Sequence, residues 1–127
     1  MGTHAMIGIW NSETGEVSAS YVHYDGYVEG VGAELVANYN DAERAALVAT
    51  GGYLSSLSAD YAESRAAAVH SDKAVAFLDV EDFLAEGFDY AGAEYIYLWD
   101  GEAWFVAMNT LGGTKTLFEE VEMNLAA

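Results

Sequence analysis

Two strand-turn-strand signatures, one near each end of the chain, limit the folds open to it. Residues 6–10 and 17–24 are rich in β-branched and aromatic side chains, and the turn-prone Asn11-Ser12-Glu13-Thr14-Gly15-Glu16 separates them, with Gly15 able to take a positive φ. Residues 95–99 and 103–108 flank Asp100-Gly101, a pair that tolerates left-handed backbone and predicts a two-residue type I′ turn. Between these hairpins the apolar period changes. Val28, Val31, Leu35 and Tyr39 recur at steps of three and four, which predicts one helical stripe. Gly30 and Gly32 weaken its start by about 1 kcal/mol each relative to Ala, so its firm part begins near Val31. Asn40 with Glu43 reads as a capping box for a second helix over 41–50, which Gly51-Gly52 ends. Residues 55–72 carry little apolar periodicity and read as a loop or weakly packed helix. Residues 74–78 suit a short strand, and Asp79 caps a helix over 80–86 that stops at Gly87. Thr116 with Glu119 forms another capping box, followed by Leu117, Val121 and Leu125 on one face. The resulting order β-β-α-α-(α)-β-α-β-β-α predicts a single α+β domain over 1–127. Its antiparallel sheet is built from the N- and C-terminal hairpins, with helices mainly on one face, and 113–127 reads as a C-terminal helical extension.

Composition narrows the function classes. At 127 residues and 53% hydrophobic, the chain has ample material for a core. It has no cysteine, which excludes a disulfide scaffold, a thiol nucleophile and any Cys-ligated metal. No apolar run approaches the roughly 18 residues that span a bilayer, and residues 1–11 lack the basic start of a signal peptide, so a soluble cytoplasmic protein is expected. The 21 acidic against 4 basic side chains give a formal net charge of −17. Nucleic acid and anionic membranes are therefore poor partners, and a basic protein surface is a better one. For this mass an accessible surface of about 6,600 Å² is expected, or roughly one net charge per 390 Å². B-DNA carries about one per 110 Å² of its cylinder, so imitation of DNA requires the acids to gather on one face. Eleven of them lie between Asp60 and Glu102 against only Arg65 and Lys73. Asp72, Asp79, Glu81, Asp82, Glu86, Asp89, Glu94, Asp100 and Glu102 are the expected partner-binding face. The alternative is a solvated surface tuned for solubility or a saline habitat.

The most unusual segment runs from His23 to Gly32 and collects an imidazole, two carboxylates, two phenols and three glycines at a strand end. His23 with Asp25 could be drawn as a base and its orienting group, and His23, Asp25 and Glu29 as a cation site. A hydrolase needs more, and the chain has no G-x-S-x-G, H-E-x-x-H or P-loop. The structural reading has His23 and Tyr24 plugging one end of the core, Asp25-Gly26 making the turn, Tyr27 alongside, and Glu29 solvated. Gly30-x-Gly32 and Gly51-Gly52 read as turn and cap glycines, and the Asp79, Glu81, Asp82 spacing fails the EF-hand pattern. Neither a metal nor a cofactor is called for, and His4 and His70 carry no assigned role. Oligomeric state is not legible here.

The sequence resembles a group of small phage and prophage proteins that begin with a hairpin, continue as a His-aromatic-Asp-Gly-Tyr motif with a following Val-Gly, and close with Gly-x-x-Ser-x-Leu. The corresponding pieces are His23-Tyr24-Asp25-Gly26-Tyr27, Val31-Gly32, Tyr39-Asn40-Asp41 and Gly52-Tyr53-Leu54-Ser55-Ser56-Leu57, with a C-terminal Gly92 to Trp104 hairpin. Departures are Tyr24 where the group commonly has Trp and Val28 where it has Pro. The resemblance implies a mobile-element accessory protein that acts on host machinery and carries no catalytic residue across. The expected function is a non-enzymatic protein that binds a basic host protein such as a nuclease, polymerase or defence factor, as a nucleic-acid mimic. The alternatives are a small-ligand or nucleotide-binding protein, or a hydrolase or metal site, at 23–32.

Overall fold

The computed structural model describes residues 3–109 and 118–126. Strands β1 (Ala5–Trp10) and β2 (Val17–Val22) form the first hairpin, in which the Asn11 side chain accepts the Glu13 N–H and Gly15 takes φ +81°. A π-helical turn (Val28–Gly32) leads into α1 (Ala33–Asn38) and then α2 (Ala42–Thr50). A short α3 (Tyr61–Ala66) lies within the expected irregular stretch, capped by Asp60. Strand β3 (Val75–Phe77), helix α4 (Val80–Ala91), strands β4 (Tyr95–Trp99) and β5 (Trp104–Met108), a two-residue β6 (Glu119–Glu120) and α5 (Val121–Ala126) complete the chain.

The six strands form one sheet in the order β3-β2-β1-β4-β5-β6. Both expected hairpins are present and the class is α+β, but the sheet is mixed: β1 and β4 run parallel, with Ala5 opposite Tyr95 and Ile9 opposite Trp99. These central strands are apolar on both faces, and strands of that kind need cover on both. On one side Ala5, Ile7, Tyr97 and Trp99 pack with the π-helical turn, α1, α2 and α5. On the other, Met6, Ile96 and Leu98 are sealed by Phe83 and Phe88 of α4. Most helices therefore share one face, as expected, and α4 covers the second.

Several local expectations shift. The cap of α2 is Asp41, whose carboxylate accepts the Arg44 N–H at 2.7 Å, rather than Asn40. Asp79 caps α4 as expected, accepting the Asp82 N–H at 2.8 Å, but the helix passes through Gly87. A Cβ on Gly87 would sit 3.0 Å from the ring of Phe83, one turn earlier in the same helix, and 3.4 Å from Ile96 of β4, and the helix stops instead at Gly92 with φ +67°. The C-terminal hairpin turns over four residues rather than two, because the Asp100 carboxylate accepts the N–H groups of both Glu102 and Ala103 at 2.9 Å. Thr116 and Leu117 lie outside the described residues; Glu119 is strand, and α5 begins at Val121, which is fully buried in the main core.

Three buried polar side chains tie the layers together. Trp104 Nε1 donates to the Tyr39 carbonyl at 2.9 Å, Ser20 Oγ donates to the Ala49 carbonyl at 2.7 Å, and Tyr97 Oη donates to the Gly26 carbonyl at 2.6 Å. Burial, then the neighbouring Tyr95 and Glu29, push the Tyr97 phenol well above its ordinary value near 10, and a backbone hydrogen bond from Gly32 only partly opposes this. Among the described residues no helix is long and apolar enough to cross a membrane.

Tyr97→Phe leaves the Gly26 carbonyl without its donor and should lower stability at pH 7 by about 1–3 kcal/mol, a fall of several degrees in Tm. The folded chain holds the Tyr97 proton where the unfolded chain releases it, so this stabilisation is complete below about pH 10 and declines as pH rises beyond it. Melting curves recorded from pH 8 to 11 should therefore fall more steeply for the parent than for Tyr97→Phe. Parallel declines would show that another group controls alkaline unfolding.

Candidate functional site

Successive side chains of a strand alternate faces, so Tyr21 and His23, two apart at the end of β2, point the same way. The antiparallel register sets Met6 of β1 opposite Tyr21 and Ala5 opposite Val22. One step further, the His4 and His23 rings lie 4.5 Å apart. The Tyr21 hydroxyl and His23 Nδ1 share a 2.9 Å hydrogen bond. Burial, and then the Tyr53 phenol, raise the Tyr21 pKa, which holds its hydroxyl protonated and able to donate.

The connection from α2 to α3 completes the site. Gly52 takes φ +94°, and the chain after it runs beside the end of β2: the Tyr21 carbonyl accepts the Leu54 N–H, while His23 and Tyr24 donate to the carbonyls of Leu54 and Ser55. This alignment sets the Tyr53 ring 5.7 Å from Tyr21. Tyr53 N–H also donates to the Asp72 carbonyl, which draws in the segment before β3 and brings His70 edge-on to Tyr53 at 5.0 Å. The product is a cleft of about 420 Å³ walled by Tyr21, His23, Tyr24, Tyr53, Val69 and His70. Tyr21 and Tyr53 also form the wall of a smaller cleft of about 180 Å³, closed by Asp72, Lys73, Val75 and Tyr90 of α4. The larger volume falls within the 300–1,000 Å³ typical of ligand sites. Tyr24 and Val69 are exposed at its mouth, 49% and 74% respectively. The lining is aromatic and imidazole, a surface suited to holding a ligand by stacking.

The 23–32 segment divides between this cleft and the fold. His23 is half-buried, while Tyr24 lies open at the cleft mouth rather than plugging the core. His23 Nδ1 faces Tyr21, and the Asp25 carboxylate is met at 3.4 Å by the Tyr27 hydroxyl, so the drawn His23–Asp25 base pair is not the observed pairing. Among the described residues no three His, Asp or Glu groups converge to hold a metal, and His23, Asp25 and Glu29 do not. Asp25 is the one described non-glycine residue with positive φ, at 59°, and its carbonyl accepts the Val31 N–H.

The nine acids of the expected partner face are carried by several elements. Asp79, Glu81, Asp82, Glu86 and Asp89 belong to the start and length of α4, Asp72 stands at the smaller cleft, and Glu94 and the Asp100–Glu102 pair occupy opposite ends of β4. Asp60 and Glu63 lie on α3, whose Tyr61 packs into the core layer on the face away from α4. Asp79 and Asp82 are also committed to backbone N–H groups. Sequence reasoning missed Tyr21, Tyr53, His4 and His70. The period-two spacing of Tyr21 and His23 is a usable signal, whereas Tyr53 enters only as part of the Gly52 to Leu57 motif piece and nothing local marks His70.

The glycines of the motif are required by close approach. A Cβ on Gly26 would meet the Thr3 carbonyl and Ala5 Cβ at 2.8 Å, and one on Gly30 would run into the Asp25 carbonyl. Gly26→Ala and Gly30→Ala should each lower Tm by an amount corresponding to about 1–3 kcal/mol, with Glu29→Gln unchanged as the control. A parent-like Tm for both glycine variants would contradict this packing. Compared with protein-family models, with curated proteins and with solved structures, the chain matches no family, no curated protein and no solved structure.

Proposed function

We propose that this chain is a non-enzymatic binding protein that captures a basic protein partner, in the manner of a mobile-element accessory protein directed at a host nuclease, polymerase or defence factor. The observation that carries the reading is the placement of the charge: none of the 21 carboxylates is buried, so all of them contribute to the field outside the molecule. Spread over 6681 Å² of accessible surface, the net charge of −17 averages about one per 390 Å². Evenly spread, that charge is sparser than DNA's, and it steers a cationic surface toward the chain. The motif resemblance to small phage proteins supports the accessory role. The reading places the contact on the α4 side of the sheet, because α4 carries Glu81 and Glu86 on the same element as Tyr90 of the smaller cleft.

Binding of an arginine-rich peptide of about ten residues, followed by calorimetry, tests this. Affinity should fall at least tenfold between about 50 and 500 mM salt, because exposed charges are screened over about 10 Å at 0.1 M. Glu81→Lys with Glu86→Lys should cost more affinity than Glu13→Lys with Glu16→Lys, which lie in the turn of the first hairpin. Absence of binding at 50 mM salt would overturn the proposal, and equal losses from the two pairs would remove α4 from it.

A further inference from the structure

Resting on the reading of the chain as a binder of basic proteins, we propose that the cleft walled by Tyr21, His23, Tyr24, Tyr53 and His70 is the seat of an arginine side chain of the partner. The walls are rings set at steep angles to one another: Tyr53 and His70 at 80° with centroids 5.0 Å apart, and His23 and Tyr24 at 80° and 4.6 Å. Tyr21 and Tyr53 lie closer to parallel, at 32° and 5.7 Å. The rings thus pack on one another in differing planes along one cleft, and the π faces they leave open to it are what a cation would stack on.

Charge complementarity selects among the ligands that stack on aromatics. A nucleotide or other anion would enter against a net charge of −17, whereas a cation is drawn in by it. Among the described residues no carboxylate lines the larger cleft, so a cation there is held by ring faces within a field set by the whole chain; Asp72 and Lys73 stand together beyond the Tyr21–Tyr53 wall. Guanidinium suits this lining better than ammonium, because it is planar, weakly hydrated and able to stack while its N–H groups donate outward. The Tyr21 and Tyr24 hydroxyls and Ser55 Oγ are oxygen acceptors in its lining. The chain already makes one such contact internally, with the Arg44 guanidinium 4.5 Å over the Tyr39 ring while it donates to the Asn38 and Ala59 carbonyls.

The test is an NMR titration of the full chain at pH 7.5 with N-acetyl-arginine amide, N-acetyl-lysine amide and the uncharged isostere N-acetyl-citrulline amide. Arginine amide should shift resonances at 21–24, 53–55 and 69–70, with lysine weaker and citrulline without effect. Tyr24→Leu and His70→Leu change exposed side chains, and each should weaken arginine amide about fivefold or more. Trp10→Leu, at the other end of β1, should leave affinity unchanged. A Tm equal to the parent's identifies the variants as folded, and parent-like affinity in both cleft variants would overturn the proposal. Citrulline amide binding as well as arginine amide would show that the cleft does not select a cation, and shifts of the same residues by N-acetylglucosamine but not arginine amide would assign it to a neutral sugar; either result overturns the seat. If arginine-rich peptide binding keeps its salt dependence and its loss in Glu81→Lys with Glu86→Lys while the cleft variants have no effect, the seat fails and the acidic-surface reading survives. Arginine amide bound in the cleft with no response to those charge reversals would have the opposite meaning.

Discussion

The parallel pairing of β1 and β4 is the constraint on which the rest of the molecule depends. It joins a hairpin from the start of the chain to one from the end, and it places two strands that are apolar on both faces at the centre of the sheet. Such strands cannot leave one face to water. Burying a side chain the size of Leu or Phe contributes about 1.5–3 kcal/mol, so Met6, Ile96 and Leu98 require the cover that Phe83 and Phe88 supply. From this follow the length of α4, its passage through Gly87, and the stop at Gly92 where the chain must turn back into β4.

The same geometry builds the aromatic cleft. With β1 held centrally, β2 lies next toward the β3 edge. Unpaired N–H and C=O groups there are satisfied by the segment after Gly52, and that segment carries Tyr53. Ser20 reinforces the join, accepting the Gly52 N–H and donating to the Ala49 carbonyl, so the end of α2 is tied to β2 from within the core. The cleft is therefore walled by groups whose backbones are hydrogen-bonded, while Tyr24 and Val69 at its mouth remain exposed.

Electrostatics and packing divide the chain's acids from its aromatics. The carboxylates stay at the surface because an unpaired buried charge is costly, and with only four basic residues few could be paired. Phenols carry no such penalty at neutral pH. Tyr39 and Tyr97 can be fully buried while each donates to a carbonyl, at 2.6 Å in both cases. An acidic exterior and a Tyr-rich interior are two consequences of one composition.

Local chemistry made much of the fold legible. The hairpin runs, the Asp79 cap, the helix of α2 and the α+β class follow from residue spacing and from side chains that bond within three or four residues of themselves. The turn after Trp99 runs over four residues because the Asp100 carboxylate accepts the Glu102 and Ala103 N–H groups, while Gly101 takes φ +107°. Gly87 read as a stop because its place beside Ile96 of β4 is set by packing across the chain rather than by local spacing. The motif segment 23–32 was recognisable as unusual, yet the reason for its glycines is contact with Thr3, Ala5 and the Asp25 carbonyl, two of them distant in the chain. The surface position of the acids was determined by charge and composition, since carboxylates outnumber every available partner. Which acids neighbour one another, and the meeting of His4, Tyr21, His23, Tyr53 and His70, were decided by tertiary structure alone, because strand register and loop closure across as many as 66 residues bring those rings together and no local energy encodes such a distance.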